Sequence, residues 1–378
     1  MDTSFEIDAA FPGGNILVDG VDGDTVSLRQ DRRDTAEWWF HWCFRVRGAA
    51  GRTLTFRFTD GGPVGVRGPC VSLDAGKSWH WQGTAQAGQD LFSHTFAADA
   101  AEVRFAQAVS YTESDLRAFL ERHAGNPALR ADELCRSRHG RPVERLRAGR
   151  LDGAPRFRVL LTCRHHCCES MASFELEGLL EGMLAADDTG AWFRQNVEAL
   201  VVPFVDKDGV EEGDQGKNRR PHDHNRDYDA GLYPEIRALK DSVPAWAADG
   251  RLRVLLDLHC PWIRSGCNEL IYLLGSPRPE IWTEQQRFSS ILEQVQTGPL
   301  PYRAVDNMPF GQDWNVATSY AAGRTSTGWA AELPGMKLAT SLELPYANAA
   351  GAEVTAASAR LFGRDLAAAL RRYLEAVG

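Results

Sequence analysis

From Arg156 to the C-terminus, short and almost wholly apolar runs alternate with stretches of helical spacing. The runs are 157–162, 200–205, 254–258, 270–274 and 340–344. Residues 174–184 carry the helical stripe Phe174, Leu176, Leu179, Leu180, Met183 and Leu184. A strand that is apolar on both faces needs cover on both faces. The pattern therefore predicts an α/β domain built on a mostly parallel (mixed) sheet with helices on either side. Such a sheet builds its sites at the carboxyl ends of its strands.

The first 107 residues follow another rule. Apolar and polar positions alternate over 39–46, 53–58, 71–73 and 103–106, separated by turns such as Asp60-Gly61-Gly62-Pro63. This predicts an antiparallel β-sandwich. The period then changes: Ser114 reads as an N-cap, Leu116, Phe119 and Leu120 follow at helical spacing, and Gly125-Asn126-Pro127 stops the helix. At 378 residues the chain exceeds one comfortable core, and the expected division is 1–110 and 111–378. Residues 136–154, basic and rich in glycine, read as a surface excursion.

Charge and composition narrow the function. With 51 acidic against 42 basic residues the formal net charge is −9, which argues against a nucleic-acid or anionic-membrane partner. No apolar run approaches the roughly 18 residues of a membrane span. The opening MDTSFEIDAAFPGG lacks a basic segment followed by an apolar core, so a cytoplasmic protein is expected. Eight cysteines (43, 70, 135, 163, 167, 168, 260 and 267) lack paired CxxC spacing and read as reduced thiols. An all-thiolate structural zinc site is the rival reading, which that spacing disfavours.

Two apolar runs end on metal-binding side chains. LLTCRHHCCES (160–170) stops at His166, with Glu169 three residues later, and RLRVLLDLHCPW ends its strand on His259. Two histidines and one carboxylate leave a zinc ion a position for water, the ligand set of a catalytic site. Asp257, two residues before His259, is placed to orient its imidazole. In SLELPY (341–346), Glu343 sits in an apolar strand, where an unpaired carboxylate is costly unless a cation lies near. Such a carboxylate suits proton transfer. Between the ligand strands, GDQGKNRRPHDHNRDYD (213–229) offers Arg219, Arg220 and Arg226 for carboxylate recognition. His222 and His224 are alternative ligands, better suited by their loop spacing to hydrogen bonding.

These pieces resemble the zinc carboxypeptidases, and among them the cytosolic carboxypeptidases with an extra N-terminal β domain. RHHCCES matches the HxxE element and VPFVDKDGV (202–210) the segment usually reading NPDGV. HNRDY (224–228) matches the Asn-Arg pair, DLH (257–259) the third ligand and SLELPY the base. EWWFHWCFRV (37–46) and SYTESDL (110–116) resemble the leading domain and its junction. The resemblance implies zinc on His166, Glu169 and His259, with Glu343 as general base. It implies Asn225 and Arg226 on the substrate's terminal carboxylate. It also implies that Arg219, or failing it Arg220, polarises the scissile carbonyl. A peptide or protein C-terminus, with glutamate as the residue removed, is the implied substrate, and Arg264 and Arg324 are candidates to meet its second carboxylate. Three departures stand out: Cys167-Cys168 replaces Pro-Gly, Asp206-Lys207-Asp208-Gly209 replaces NPDG, and Ala331 occupies the position aligned with the usual tyrosine. The same machinery suits a zinc amidohydrolase or deacylase of N-acyl amino acids. An Fe(II) enzyme and a silent binding module are the readings from other classes.

Overall fold

The structure, a computed structural model, describes residues 5–378. The first four residues of the expected 1–110 domain, and of the opening segment, lie outside it. The N-terminal part holds two sheets around one core. A five-stranded antiparallel sheet runs in the order Glu6–Asp8, Cys43–Arg47, Glu102–Ala106, Cys70–Ser72 and His80–Trp81. A four-stranded sheet runs Leu17–Asp22, Thr25–Arg29, Thr53–Phe58 and Leu91–Thr95. Alternation explains the packing: in Thr53–Phe58, Leu54, Phe56 and Phe58 are buried while Thr53 and Arg57 are exposed. Phe44, Phe56, Phe92 and Phe105 meet between the sheets. Burying each such ring stabilises by about 1.5–3 kcal/mol. One pairing corrects the expectation: Thr25–Arg29 and Thr53–Phe58 run parallel, joined by a crossover through the other sheet.

The junction helix is Glu113–Arg122, and its N-cap is Thr112 rather than Ser114. Thr112 has the extended backbone a cap requires, and the Asp115 carboxylate accepts its N–H at 2.8 Å, closing a capping box. The expected surface excursion is also corrected. Pro142–Gly149 is a strand of the main sheet, paired with Leu129–Arg136 and Val197–Val202, and it buries Val143, Leu146 and Ala148. Its arginines hide the two-residue period; Arg147 turns outward to pair with Glu198.

The main sheet has the order Leu129–Arg136, Pro142–Gly149, Val197–Val202, Phe157–Cys163, Leu252–His259, Leu338–Glu343 and Tyr272–Leu273. Its four middle strands are parallel and its flanking strands antiparallel. Helices Met171–Leu184, Pro279–Val295 and Ala356–Val377 share one core on one face, and Pro234–Ala247 covers the other. Met171–Leu184 and Ala356–Val377 approach closely at glycines: a Cβ on Gly178 would lie 1.9 Å from the Arg360 carbonyl oxygen. From Phe157–Cys163 the chain returns on one side to Val197–Val202, then crosses to Leu252–His259 on the other. That reversal opens a crevice at the carboxyl ends of Phe157–Cys163 and Leu252–His259.

Candidate metal centre and cavity

Strand register brings the candidate residues together. His259 ends its strand opposite Glu343, and Cys163, the last residue of Phe157–Cys163, pairs with Leu258. The chain then leaves the sheet at Arg164, whose backbone is left-handed (φ 61°). The Arg164 guanidinium donates to the Cys167 carbonyl (Nε, 2.8 Å), to the Tyr111 carbonyl (3.1 Å) and to Ser173 Oγ (3.0 Å). This clamp fixes the turn that carries His166 and Glu169.

The three side chains then converge. His166 Nδ1 lies 2.8 Å from Glu169 Oε1 and His259 Nδ1 2.7 Å from Glu169 Oε2. One nitrogen from each ring and the carboxylate thus face a common point, all within 4.8 Å of one another. The outer nitrogens are held by carboxylates: His166 Nε2 is 3.3 Å from Asp223 Oδ1 and His259 Nε2 is 2.8 Å from Asp257 Oδ2. That is the outer arrangement that fixes a ligating imidazole. Burial alone would raise the Glu169 carboxyl, but the two adjoining rings hold it well below the usual range. The donor set therefore fits a divalent cation: two imidazoles and an ionised carboxylate, with every outer atom already engaged.

Two other clusters fit one less well. His165, Asp257 and His259 form a closed network in which His165 contacts Asp257 (2.8 Å) and Tyr228 Oη (2.9 Å), while Asp257 also accepts from Thr162 (2.8 Å) and Ser326. In the group His139, Asp208 and Glu212, only His139 is exposed, and Arg141 already bonds both carboxylates at 2.7 Å.

A cavity of about 540 Å³ opens on the first cluster. Its walls include His166, His259 and Glu343, as well as Asn225, Arg226 and Lys217. Burial raises the Glu343 carboxyl, and Glu169 adds to the effect while His259 opposes it. Asn225 sits against the His166–Glu169–His259 cluster, its amide 3.2 Å from His259 Nε2 and its oxygen accepting the Ser326 N–H at 2.9 Å. Arg226 donates to the carbonyls of Asn225 (2.8 Å) and Ser319 (2.9 Å) and lies over the Tyr320 ring.

The expected arginines divide. Arg219 does not line the cavity: its guanidinium is bound to the buried carboxylates of Asp206 and Asp214. Asp206 also caps the helix Lys207–Glu212, accepting the Gly209 N–H at 2.9 Å, and its pairing with Arg219 keeps that guanidinium out of the cavity wall. Arg220 is exposed and likewise outside the cavity; its backbone N–H donates to Asp34 O at 2.7 Å. Arg264 donates to the carbonyls of Gly62 and Val64 in the N-terminal domain. Arg324 does reach the cavity, paired with Glu332. His222 lies 2.9 Å from the Arg226 carbonyl oxygen, and His224 stacks on Tyr233 at 3.6 Å. Neither joins the cluster.

Three residues of the site, Lys217 and Tyr320 in the cavity wall and Asp223 behind His166, carried no readable signal. Lys217 is one lysine in a polar loop, Asp223 one acid among several, and Tyr320 lies in an irregular segment without period. Ala331 lines the cavity, and a tyrosine is nonetheless present there: Tyr320, its hydroxyl 2.6 Å from Asn315 Oδ1.

Comparison with known proteins accords with this geometry. The profile of the cytosolic carboxypeptidase N-terminal domain matches residues 7–107. Mouse cytosolic carboxypeptidase 2 is 28% identical over 209 residues, 50% of this chain and 23% of the mouse protein. Cytosolic carboxypeptidase 6 of Caenorhabditis elegans is 22% identical over 60% of this chain and 53% of its own. The chain thus spans from a quarter to about half of these two relatives. Among solved structures, a metallo-carboxypeptidase from Burkholderia cenocepacia superposes with a TM-score of 0.82 at 22% identity, covering 99% of this chain and 100% of that one. A metallo-carboxypeptidase from Pseudomonas aeruginosa, in complex with (2-guanidinoethylmercapto)succinic acid, gives 0.77 at 21% identity over 98% and 99%. The chain thus carries a segment matching the cytosolic carboxypeptidase N-terminal domain, is similar to cytosolic carboxypeptidases over part of its length, and shares the fold of these metallo-carboxypeptidase structures.

Proposed function

We propose that this chain is a zinc-dependent carboxypeptidase that removes one residue from the C-terminus of a peptide or protein. The observation that carries this reading is the pairing of both histidine Nδ1 atoms with the two oxygens of Glu169, at the wall of a cavity that also presents Glu343 and Arg226. His166, Glu169 and His259 would hold the ion. Bound there, zinc supplies Lewis-acid chemistry, lowering the pKa of a water and polarising a carbonyl. Asn225 and Arg226 bind the terminal carboxylate, which restricts the site to chain ends. Glu343 takes the proton from the attacking water and passes it to the leaving amine, a role suited to a buried carboxyl with a raised affinity for protons. Tyr320, lying over Arg226, is placed beside the bound terminus.

For the departing side chain, an acidic residue is the reading favoured by Arg324 and Arg278, both of which reach the cavity. The names of the relatives favour a cytosolic setting.

The test is to load the purified protein with zinc, offer it a pool of peptides varied at the C-terminus, and identify released amino acids by mass spectrometry. Single-residue release is expected, with glutamate or aspartate preferred. Glu343→Gln should retain the metal while losing about 10²–10⁴ in turnover. Bound iron with oxygen uptake, absence of any release, or an active Glu343→Gln would overturn the reading.

A further inference from the structure

We propose that Lys217, rather than Arg219, is the cation that meets the carbonyl oxygen of the bond being cleaved, and that the N-terminal domain holds it in place. This rests on the carboxypeptidase reading above. Arg219 is out of reach, locked between Asp206 and Asp214. Lys217 lines the cavity with His166, His259 and Glu343, and its Nζ lies 3.4 Å from His166 Nε2. Among the described residues, Lys217 and Arg226 are the cavity cations without a carboxylate partner in ion-pair contact; Arg278 and Arg324 are paired with Glu280 and Glu332.

Two unpaired cations match the two negative groups of the reaction. One is the substrate's terminal carboxylate, which suits the planar fork of Arg226. The other arises during it. As the water oxygen bonds to the carbonyl carbon, Glu343 takes its proton and the C=O electron pair moves onto oxygen. Collapse restores the carbonyl, breaks the C–N bond and sends the proton to the amine. A compact ammonium on a flexible stem suits this transient charge. At a cavity wall shielded from bulk water such a group acts most strongly where charge develops.

The backbone of Lys217 is anchored from both sides. The Asp34 carboxylate accepts the N–H groups of Gln215 (3.0 Å) and Gly216 (2.8 Å). The Gln215 side chain donates to the carbonyls of Asp31 (3.0 Å) and His41 (2.9 Å) and accepts the His41 N–H (2.8 Å). On the opposite side Gly216, with φ 80°, packs so tightly on the ligand turn that a Cβ would lie 2.5 Å from Cys167 N. The lysine's position is thus set jointly by the metal-ligand turn and by a loop of the other domain. Asp34 is a positioning residue, acting through Lys217.

The experiment compares wild type with Lys217→Ala, Lys217→Arg, Asp34→Ala and the double variant Lys217→Ala/Asp34→Ala. Each is assayed on the peptide that wild type cleaves fastest. Calorimetry measures binding of a phosphinic dipeptide, which mimics the tetrahedral carbon, and of the released amino acid. Lys217→Ala should lose about 10²–10³ in kcat with KM little changed, and Lys217→Arg should recover part of it. Binding of the phosphinic dipeptide should weaken by a similar factor while the amino acid and the metal content stay as in wild type. Asp34→Ala should lower kcat in the same direction, with little further loss in the double variant; Asp34→Asn replaces it if Asp34→Ala fails to fold. Lys217→Ala keeping more than a third of kcat, or losing both ligands equally, overturns the assignment while leaving the carboxypeptidase reading intact. A wild type that neither releases a residue nor binds the phosphinic dipeptide overturns both.

Discussion

Replacing Arg219 with glutamine separates a structural arginine from one that touches substrate. Its side chain is 11% exposed and its guanidinium lies between Asp206 and Asp214, whose side chains are 2% and 4% exposed. Burial raises Asp214 to about 6 even with Arg219 beside it, and Arg33 from the N-terminal domain shares the same carboxylate at 2.8 Å. Without Arg219, Asp206 loses its arginine, keeping the Gly209 N–H and a distant His224, and Asp214 keeps Arg33 as its one cation. Removing one member of a buried ion pair costs about 3–5 kcal/mol, which for a chain of this size lowers Tm by roughly 4–6 °C. The sign with pH follows. Both carboxyls would then have folded pKa values above their unfolded ones, so the loss is fully present at pH 8 and shrinks as pH falls through the raised values. The assay is thermal unfolding at pH 5 and pH 8, with kcat and KM measured well below Tm. The expected outcome is a large, pH-dependent drop in Tm with kcat within about threefold of wild type. An unchanged Tm with kcat reduced a hundredfold would refute the argument and return Arg219 to the substrate.

Two further perturbations test the fold. Burial pushes the Glu235 carboxyl to about 8, and its Oε2 has no hydrogen-bond partner among the described residues. A raised folded value means that stability is lost as pH rises above the unfolded value; Glu235→Gln should therefore raise Tm at pH 8 and do little at pH 5, as calorimetry at the two pH values would show. Gly178→Ala would set a methyl group 1.9 Å from the Arg360 carbonyl oxygen, so the two helices must part. A loss of about 1–3 kcal/mol in urea unfolding is expected, with metal affinity unchanged.

What the sequence made legible is what hydrophobic runs punctuate. His166, His259 and Glu343 stand where apolar strands stop, and a strand that must be buried leaves its terminal polar residue at the sheet's edge. Asp257 was legible for a related reason, since alternate residues of a strand point the same way. The polar loop 213–229 obeys no such period. Which of its cations stays free depends on carboxylates supplied by Asp206 and Asp214, and only the folded chain reveals that both meet Arg219. Tyr320 was hidden similarly, in a segment of irregular backbone between Asp306 and Ser326. The strand Pro142–Gly149 was missed because charged residues on its outer face outweighed three buried apolar ones. The parallel pair in the N-terminal sheet was missed because residue alternation reports which side is buried and says nothing of strand direction.

The contact between the two halves of the chain has an energetic consequence of its own. Phe40 and Cys70 of the N-terminal half belong to the same buried cluster as Leu258, Leu342 and Leu344. Phe40 also meets Trp262 and Tyr346, just beyond the strand ends that bear His259 and Glu343. Asn15 reaches across to donate to the Gly213 carbonyl at 2.6 Å. Cutting the chain near residue 110 would strip apolar cover from the edge where His259 and Glu343 emerge. The two architectures are therefore expected to melt in a single calorimetric transition, so that the geometry of His166, Glu169 and His259 inherits the stability of both.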